Sequence, residues 1–135
     1  MASHDMPILL VDDEPVALDL CTKLLAQAGL FDVDRANNGK EALLKLPQRL
    51  YGAVISDWNM PELTGLELVW RIRSEDRWAK LPFIMTSVDG TLERAKVARQ
   101  AGVDAFLIKP FDVVQLTAKL REVVPGLRFR TFIGR

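Results

Sequence analysis

The chain has 135 residues, of which 49% are hydrophobic, and its 18 Lys and Arg side chains balance 18 Asp and Glu side chains. This length predicts one domain with its own core. Zero net charge excludes a protein that holds nucleic acid by charge alone, and we expect no DNA partner. The charge is unevenly distributed, because the first twenty residues contain five carboxylates and no Lys or Arg, whereas the last twenty contain five cations and one carboxylate.

The amino terminus lacks the basic start and apolar stretch of a signal peptide, and the longest aliphatic run, residues 8–11, is too short to span a bilayer. The single cysteine, Cys21, cannot form an internal disulfide. We therefore expect a cytoplasmic protein without membrane insertion.

Short apolar runs alternate with segments of helical period, a pattern typical of strand–helix units around a parallel sheet. The predicted strands cover residues 8–11, 31–36, 53–56, 83–86 and 105–108. The second strand is the most polar, which favours an edge position. These units predict one α/β domain over residues 1–125, followed by a tail over residues 126–135.

A helix follows each predicted strand. The five helices begin near Pro15, Gly39, Gly65, Thr91 and Val113. Leucines recur at helical spacing in them, and we expect these leucines, Cys21 and Trp70 to lie in the core.

Reactive side chains follow four of the five predicted strands. They are Asp12, Asp13 and Glu14 after the first strand, Asp57 after the third, Ser87 after the fourth, and Lys109 after the fifth. Because parallel strands direct their carboxyl ends to one edge of a sheet, we expect these side chains to form one site.

Clustered carboxylates repel one another, by about 4 kcal/mol for a pair 4 Å apart at an effective dielectric constant near 20. The cluster must therefore bind protons or a cation. Its ligands are all oxygens, which favours a hard ion, and a shallow site with few protein ligands favours Mg²⁺ over Ca²⁺. Carboxylate, Mg²⁺, lysine and hydroxyl together suit transfer of a phosphoryl group onto aspartate.

Three motifs carry a family resemblance: Asp12-Asp13, the segment from Ile55 to Pro61 followed by Gly65, and Lys109-Pro110-Phe111. Over about residues 6–124 the chain resembles the receiver domains of two-component response regulators, above all the stand-alone chemotaxis receiver. The resemblance implies a flavodoxin-like, doubly wound five-stranded parallel sheet of order 2-1-3-4-5 with five helices.

The resemblance also implies roles for individual residues. Asp57 corresponds to the phosphoacceptor, and Asp13 and Asp57 correspond to direct Mg²⁺ ligands. Asp12 would bind the ion through water, and Asn59 would bind it through its backbone carbonyl. Lys109 would contact the phosphoryl group and would precede a cis peptide bond.

The resemblance also identifies the switch residues, which change position when the phosphoryl group is present. We expect Ser87, rather than the neighbouring Thr86, to supply the switch hydroxyl, because the strand pattern ends at Thr86. Phe106 occupies the aromatic switch position, which is usually tyrosine in chemotaxis receivers. Asn59 and Asp89 are expected to flank the path of the hydrolytic water.

The resemblance implies a phosphoacceptor signalling switch rather than an enzyme, with self-catalysed phosphorylation and dephosphorylation at Asp57. Its phosphoryl donor would be a histidine kinase or a histidine phosphotransfer domain, and its target the flagellar motor switch or another protein. A phosphorelay or phosphate-sink role stays open. A haloacid-dehalogenase-type Mg²⁺ phosphatase is less favoured, because the segment Asp12-Asp13-Glu14 lacks the Asp-x-Asp spacing of those enzymes.

The tail contains Arg128, Arg130 and Arg135 interleaved with Phe129 and Phe132. It is a solvated end, an extended docking segment or an anion-binding arm. Its composition is similar to the arginine-rich extensions with which some chemotaxis-like receivers bind cyclic di-GMP, and arginines beside aromatic rings suit phosphate pairing and base stacking. A cyclic di-GMP-responsive effector is therefore an alternative function.

Overall fold

A computed structural model describes residues 6–127. The strands are β1 (Ile8–Val11), β2 (Val33–Ala36), β3 (Ala53–Asp57), β4 (Phe83–Ser87) and β5 (Ala105–Ile108). The helices are α1 (Pro15–Gln27), α2 (Gly39–Lys45), α3 (Gly65–Arg73), α4 (Leu92–Ala101) and α5 (Val113–Val123). Within residues 6–127, no helix has the length and apolar character needed to cross a membrane.

All neighbouring strands run parallel, in the order β2-β1-β3-β4-β5. The predicted α/β fold and strand order are confirmed, and the polar strand β2 lies at an edge as expected. The register pairs Asp57 with Thr86 and Ser87 with Ile108. Because the strands are parallel, the loops after β1, β3, β4 and β5 meet at one edge of the sheet.

The sheet has a hydrophobic core on each face. One core packs β-strand residues against α1 and α5, through Leu18, Leu25, Leu116 and Leu120. The other core packs the opposite face against α2, α3 and α4, and Leu68 and Ile72 are fully buried in it. Successive side chains of one strand point alternately into the two cores. Odd and even positions of a strand therefore pack against different helices.

Trp70 is not a core residue, and this prediction was wrong. Its side chain is 60% exposed, whereas Leu68, Val69 and Ile72 on the same helix are fully buried. Helical spacing alone allowed either set of residues to face the sheet. The helix turns the arc that contains Leu68 and Ile72 inward, which leaves Trp70 on the outer side.

Strands β3 and β4 each extend one residue beyond the predicted end. The backbone N–H of Trp58 donates to the Thr86 carbonyl at 2.9 Å, and the N–H of Lys109 donates to the Ser87 carbonyl at 2.8 Å. These bonds continue the parallel ladder to the polar residues that end each strand. The strand pattern therefore ends at Ser87, and the premise that it ends at Thr86 was wrong.

Gly65 begins α3 where no larger residue fits. Its N–H donates to the Trp58 carbonyl at 2.9 Å. A Cβ atom at this position would collide with the backbone carbonyl oxygen of Asp57 and would lie 2.7 Å from Met85 Sδ. The close approach of α3 to the end of β3 therefore depends on glycine.

We expect Gly65→Ala to lower the free energy of unfolding by about 2 kcal/mol, because backbone must move to admit the methyl group. Urea denaturation measures this change. Gly90→Ala is a matched control, since its Cβ would meet only the flexible end of the Ile108 side chain. Equal stability losses in the two variants would contradict the proposed role of Gly65.

Candidate functional site

Three carboxylates meet at the carboxyl edge of the sheet. Asp12 and Asp13 follow β1, and Asp57 ends β3. Each can place a carboxylate oxygen within 4.8 Å of the other two. The side chains of Asp12 and Asp57 are largely buried, whereas Asp13 is exposed. The edge thus brings together Asp12, Asp13 and Asp57, whose carboxylate oxygens are partly buried and partly exposed to solvent.

Glu14 does not join this group. It is the N-cap residue of α1, its side chain is exposed, and its backbone N–H donates to Asp12 Oδ1 at 3.0 Å. The contact orients the Asp12 carboxylate from the backbone.

Lys109 reaches into the acidic group from the end of β5. Its Nζ lies 3.0 Å from Asp12 Oδ2 and 3.2 Å from Asp57 Oδ1. The predicted contact with Asp57 is present, and the ammonium also bridges to Asp12. The peptide bond from Lys109 to Pro110 is cis, as the resemblance implied. One ammonium faces three carboxylates, so the cluster retains an excess of negative charge.

Burial shifts the titration of this pair. Burial raises the pKa of the Asp57 carboxyl above its ordinary value; the charge of Lys109 offsets this only in part, and the charge of Asp12 adds to it. Burial alone would lower the pKa of Lys109, but the hydrogen bond to Asp12 and the charge of Asp57 outweigh it and raise that pKa. Lys109 therefore stays protonated at neutral pH.

The two candidate hydroxyls occupy different sides of the sheet. Thr86 is the register partner of Asp57, and both line the same cavity as Lys109. Ser87 is fully buried, and its Oγ accepts a hydrogen bond from the N–H of Asp89 at 3.1 Å. Successive side chains in a strand point to opposite faces, so Thr86 lies beside Asp57 in this structure and the Ser87 hydroxyl points away from it. The expectation that Ser87 supplies the switch hydroxyl by turning inward stays a prediction.

That cavity has a volume of about 320 Å³ and extends from the acidic group to α1. Its apolar wall includes Leu18 and Cys21, and Cys21 is half-buried. Burial raises the pKa of the Cys21 thiol to about 12, and the charge of Asp12 adds to this effect. The thiol is thus protonated at neutral pH and forms part of the packing.

Two aromatic rings lie on the other side of the site. Trp58, directly after Asp57, is only 8% exposed and meets the Phe106 ring edge-on at 6.0 Å between centroids, with an angle of 85°. The guanidinium of Arg94 lies over the Trp58 ring and also reaches Asn59. The predicted aromatic position, Phe106, is therefore linked through Trp58 to the loop that bears Asn59.

Arg94 was missed by sequence reasoning. It lies 35 residues beyond Asn59, in a helix whose other charged residues point to solvent, and no spacing rule connects the two. The one sequence feature that points to the site is the position of Arg94 in the first turn of α4, directly after the loop that follows β4.

The tail residues Arg128, Arg130 and Arg135 lie outside residues 6–127, the part of the chain that the structure describes. Their predicted part in nucleotide binding stays a prediction.

The model of the family described as "Response regulator receiver domain" matches residues 8–121. The chain is 39% identical over 122 residues to chemotaxis protein CheY1 of Helicobacter pylori, covering 90% of this chain and 98% of that protein. It is 33% identical over 125 residues to chemotaxis protein CheY-3 of Vibrio cholerae, covering 93% of this chain and 96% of that protein.

Solved structures are similar across nearly the same span. Chemotaxis protein CheY4 of Vibrio cholerae matches with a TM-score of 0.82 at 30% identity, over 87% of this chain and 98% of that one. A putative response regulator from Chloroflexus aurantiacus matches with a TM-score of 0.83 at 28% identity, over 88% of this chain and 97% of that one.

The raised pKa of Asp57 makes stability depend on pH. A folded-state pKa above the unfolded value means that the folded protein binds more protons, so stability falls as pH rises from about 4 through the folded pKa. We therefore expect Asp57→Asn to raise the midpoint of urea unfolding at pH 7 in EDTA. The advantage should shrink as the pH is lowered towards about 4.

Asp76→Asn is the control for this measurement, because Asp76 is an exposed carboxylate far along the chain from the cluster. A lower midpoint for Asp57→Asn at pH 7, or a pH-independent advantage, would contradict the burial argument.

Proposed function

The chain belongs to the response regulator receiver domain family, and from that membership we propose that it accepts a phosphoryl group on Asp57 and thereby changes its affinity for a protein target. The donor would be the phosphohistidine of a histidine kinase or histidine phosphotransfer domain. The observation that carries this proposal is the Lys109 ammonium, which lies within 3.2 Å of the Asp57 carboxylate at an edge with two further carboxylates.

The transfer itself is a displacement at phosphorus. A carboxylate oxygen of Asp57 forms the new O–P bond while the P–N bond of the phosphohistidine breaks, and the electron pair of that bond remains on the imidazole nitrogen. The Lys109 ammonium, held in place by Asp12, is positioned to pair with the phosphoryl oxygens. Water later breaks the O–P bond, which releases inorganic phosphate and a proton and restores the carboxylate.

The acidic group fits Mg²⁺. Its ligands are oxygens, its carboxylates outnumber the single ammonium by two, and the exposed Asp13 leaves one side open to solvent. Asp13 and Asp57 would be direct ligands, Asp12 a ligand through water, and the backbone carbonyl of Asn59 a further ligand. When bound, the ion offsets negative charge on the phosphoryl oxygens.

Ser87, the residue that the resemblance implies, would supply the switch hydroxyl. Its Oγ accepts a hydrogen bond from the Asp89 N–H at 3.1 Å. Inward rotation of the Ser87 side chain towards a phosphoryl oxygen would release that bond and pull the β4–α4 loop with it. Thr86, which pairs with Asp57 across the two strands and lines the cavity that contains Lys109, is the alternative.

The target would bind the face formed by α4, β5 and α5. This face carries the exposed apolar side chains of Val97, Ile108 and Val114. Phe106 on β5 packs edge-on against Trp58, next to Asp57, so a change at the phosphorylation site reaches this face through ring contacts. The similarity to chemotaxis proteins favours a target in motility control, such as the flagellar motor switch. Because Phe106 has no hydroxyl, its part in binding rests on packing.

Phosphorylation is tested with radiolabelled acetyl phosphate and Mg²⁺. We expect about one label per chain, no label on Asp57→Asn, and loss of labelling in EDTA or in Asp13→Asn. In both cases the site lacks the Mg²⁺ ion that would offset negative charge on the phosphoryl oxygens. Asp76→Asn should label like the wild type. Equal labelling of Asp57→Asn, or catalytic turnover of phosphate esters, would refute a receiver function.

The switch assignment is tested with Thr86→Ala and Ser87→Ala in the presence of beryllofluoride, which mimics the phosphoryl group. Both variants should bind the mimic, but only Ser87→Ala should lose the shift of the Phe106 backbone amide in NMR spectra. The reverse result would make Thr86 the switch residue. Ser87→Ala should also lower the free energy of unfolding by about 1 kcal/mol, through its lost hydrogen bond to the Asp89 N–H.

A further inference from the structure

Arg94 joins the two loops that flank Asp57. Its guanidinium lies 4.1 Å from the centroid of the Trp58 ring, and its Nη2 donates to Asn59 Oδ1 at 3.3 Å, both in the loop after β3. Its Nε lies 3.7 Å from Asp89 Oδ2, in the loop after β4. One side chain from α4 therefore spans the gap between these loops.

The Arg94 side chain is also incompletely paired. Among the described residues its buried Nε finds no hydrogen-bond acceptor, since the distance to Asp89 is too long for a hydrogen bond. A buried N–H without a partner costs free energy, and packing of the guanidinium on Trp58 holds it there. Arg94 is thus held over the two loops by the Trp58 ring, Asn59 and the Asp89 carboxylate.

The gap that Arg94 spans lies beside the site of two reactions at Asp57, phosphorylation by a small donor and hydrolysis of the aspartyl phosphate. Displacement at phosphorus places the entering and leaving groups on opposite sides of the phosphorus atom. Asp57 occupies one side in both reactions. The leaving group of a small donor and the hydrolytic water must therefore use the same position opposite Asp57. The path expected for the water runs between Asn59 and Asp89, in the two loops that Arg94 contacts.

We propose that Arg94 is a positioning residue that closes this approach and slows both phosphorylation by small donors and hydrolysis of the aspartyl phosphate. The proposal rests on the proposed phosphoacceptor function. With acetyl phosphate, an Asp57 oxygen forms the O–P bond and acetate leaves with the electron pair. In hydrolysis, water forms the new P–O bond, the Asp57 carboxylate leaves, and a proton passes to solvent.

The test measures both rate constants in wild type and Arg94→Ala, with labelled acetyl phosphate for loading and loss of label after gel filtration for hydrolysis. Removal of the cation–π contact and the hydrogen bond should raise both by about three- to tenfold, and by the same factor. Arg99→Ala, which removes an exposed cation from the last turn of the same helix, should leave both unchanged.

Two further variants separate closure of the approach from a loss of structure. Arg94→Lys keeps the charge but loses the planar stack and should give a smaller increase in both rates. In the double variant Arg94→Ala with Asn59→Ala, the effects on hydrolysis should be less than additive, because Arg94 acts partly through Asn59. A loosened helix would instead slow loading by displacing Ser87 and Lys109.

The outcomes distinguish this inference from the proposed function. Unchanged rates in Arg94→Ala, or a faster hydrolysis with slower loading, overturn the role of Arg94 while labelling of Asp57 stands. Failure of the wild type to label overturns the proposed function and this inference with it.

Discussion

The arrangement of the site depends on one charge interaction, the bridge from the Lys109 ammonium to Asp12 and Asp57. Carboxylates this close repel, and burial makes the charge on Asp57 still less favourable. Lys109 relieves part of that repulsion from the far end of the chain, 97 residues beyond Asp12. The remaining negative charge favours a cation at this edge of the sheet.

The site lies at the edge of a parallel sheet that has a hydrophobic core on each face. The central strands β1 and β3 are buried along their whole length, so Asp12 and Asp57 stand on rigid backbone. The loops above them carry Trp58, Asn59 and Asp89. Trp58 links the sheet edge to these loops, because it follows Asp57 directly and touches both Phe106 and Arg94. A change at Asp57 would therefore act on packed rings as well as on the loop after β4.

The sequence was a good guide wherever its signal was local. Apolar runs located the strands to within two residues, and the acidic pair, Asp57 and Lys109 could be placed at one edge because parallel strands end together. The end of β4 was predicted one residue too early, and the face that each of Thr86 and Ser87 meets depends on strand register, which the sequence pattern does not show. The prediction that Trp70 lies in the core was wrong because helical spacing does not show which side of a helix faces the sheet.

The sequence by itself determined the fold class, the strand order through its family resemblance, and the residue types that gather for phosphoryl chemistry. Only the tertiary structure decided that Lys109 bridges two carboxylates, that Thr86 is the register partner of Asp57, and that Arg94 contacts both loops beside it. The reason is physical: periodicity and motifs are properties of neighbouring residues, whereas these contacts join side chains that packing and strand register bring together from distant parts of the chain.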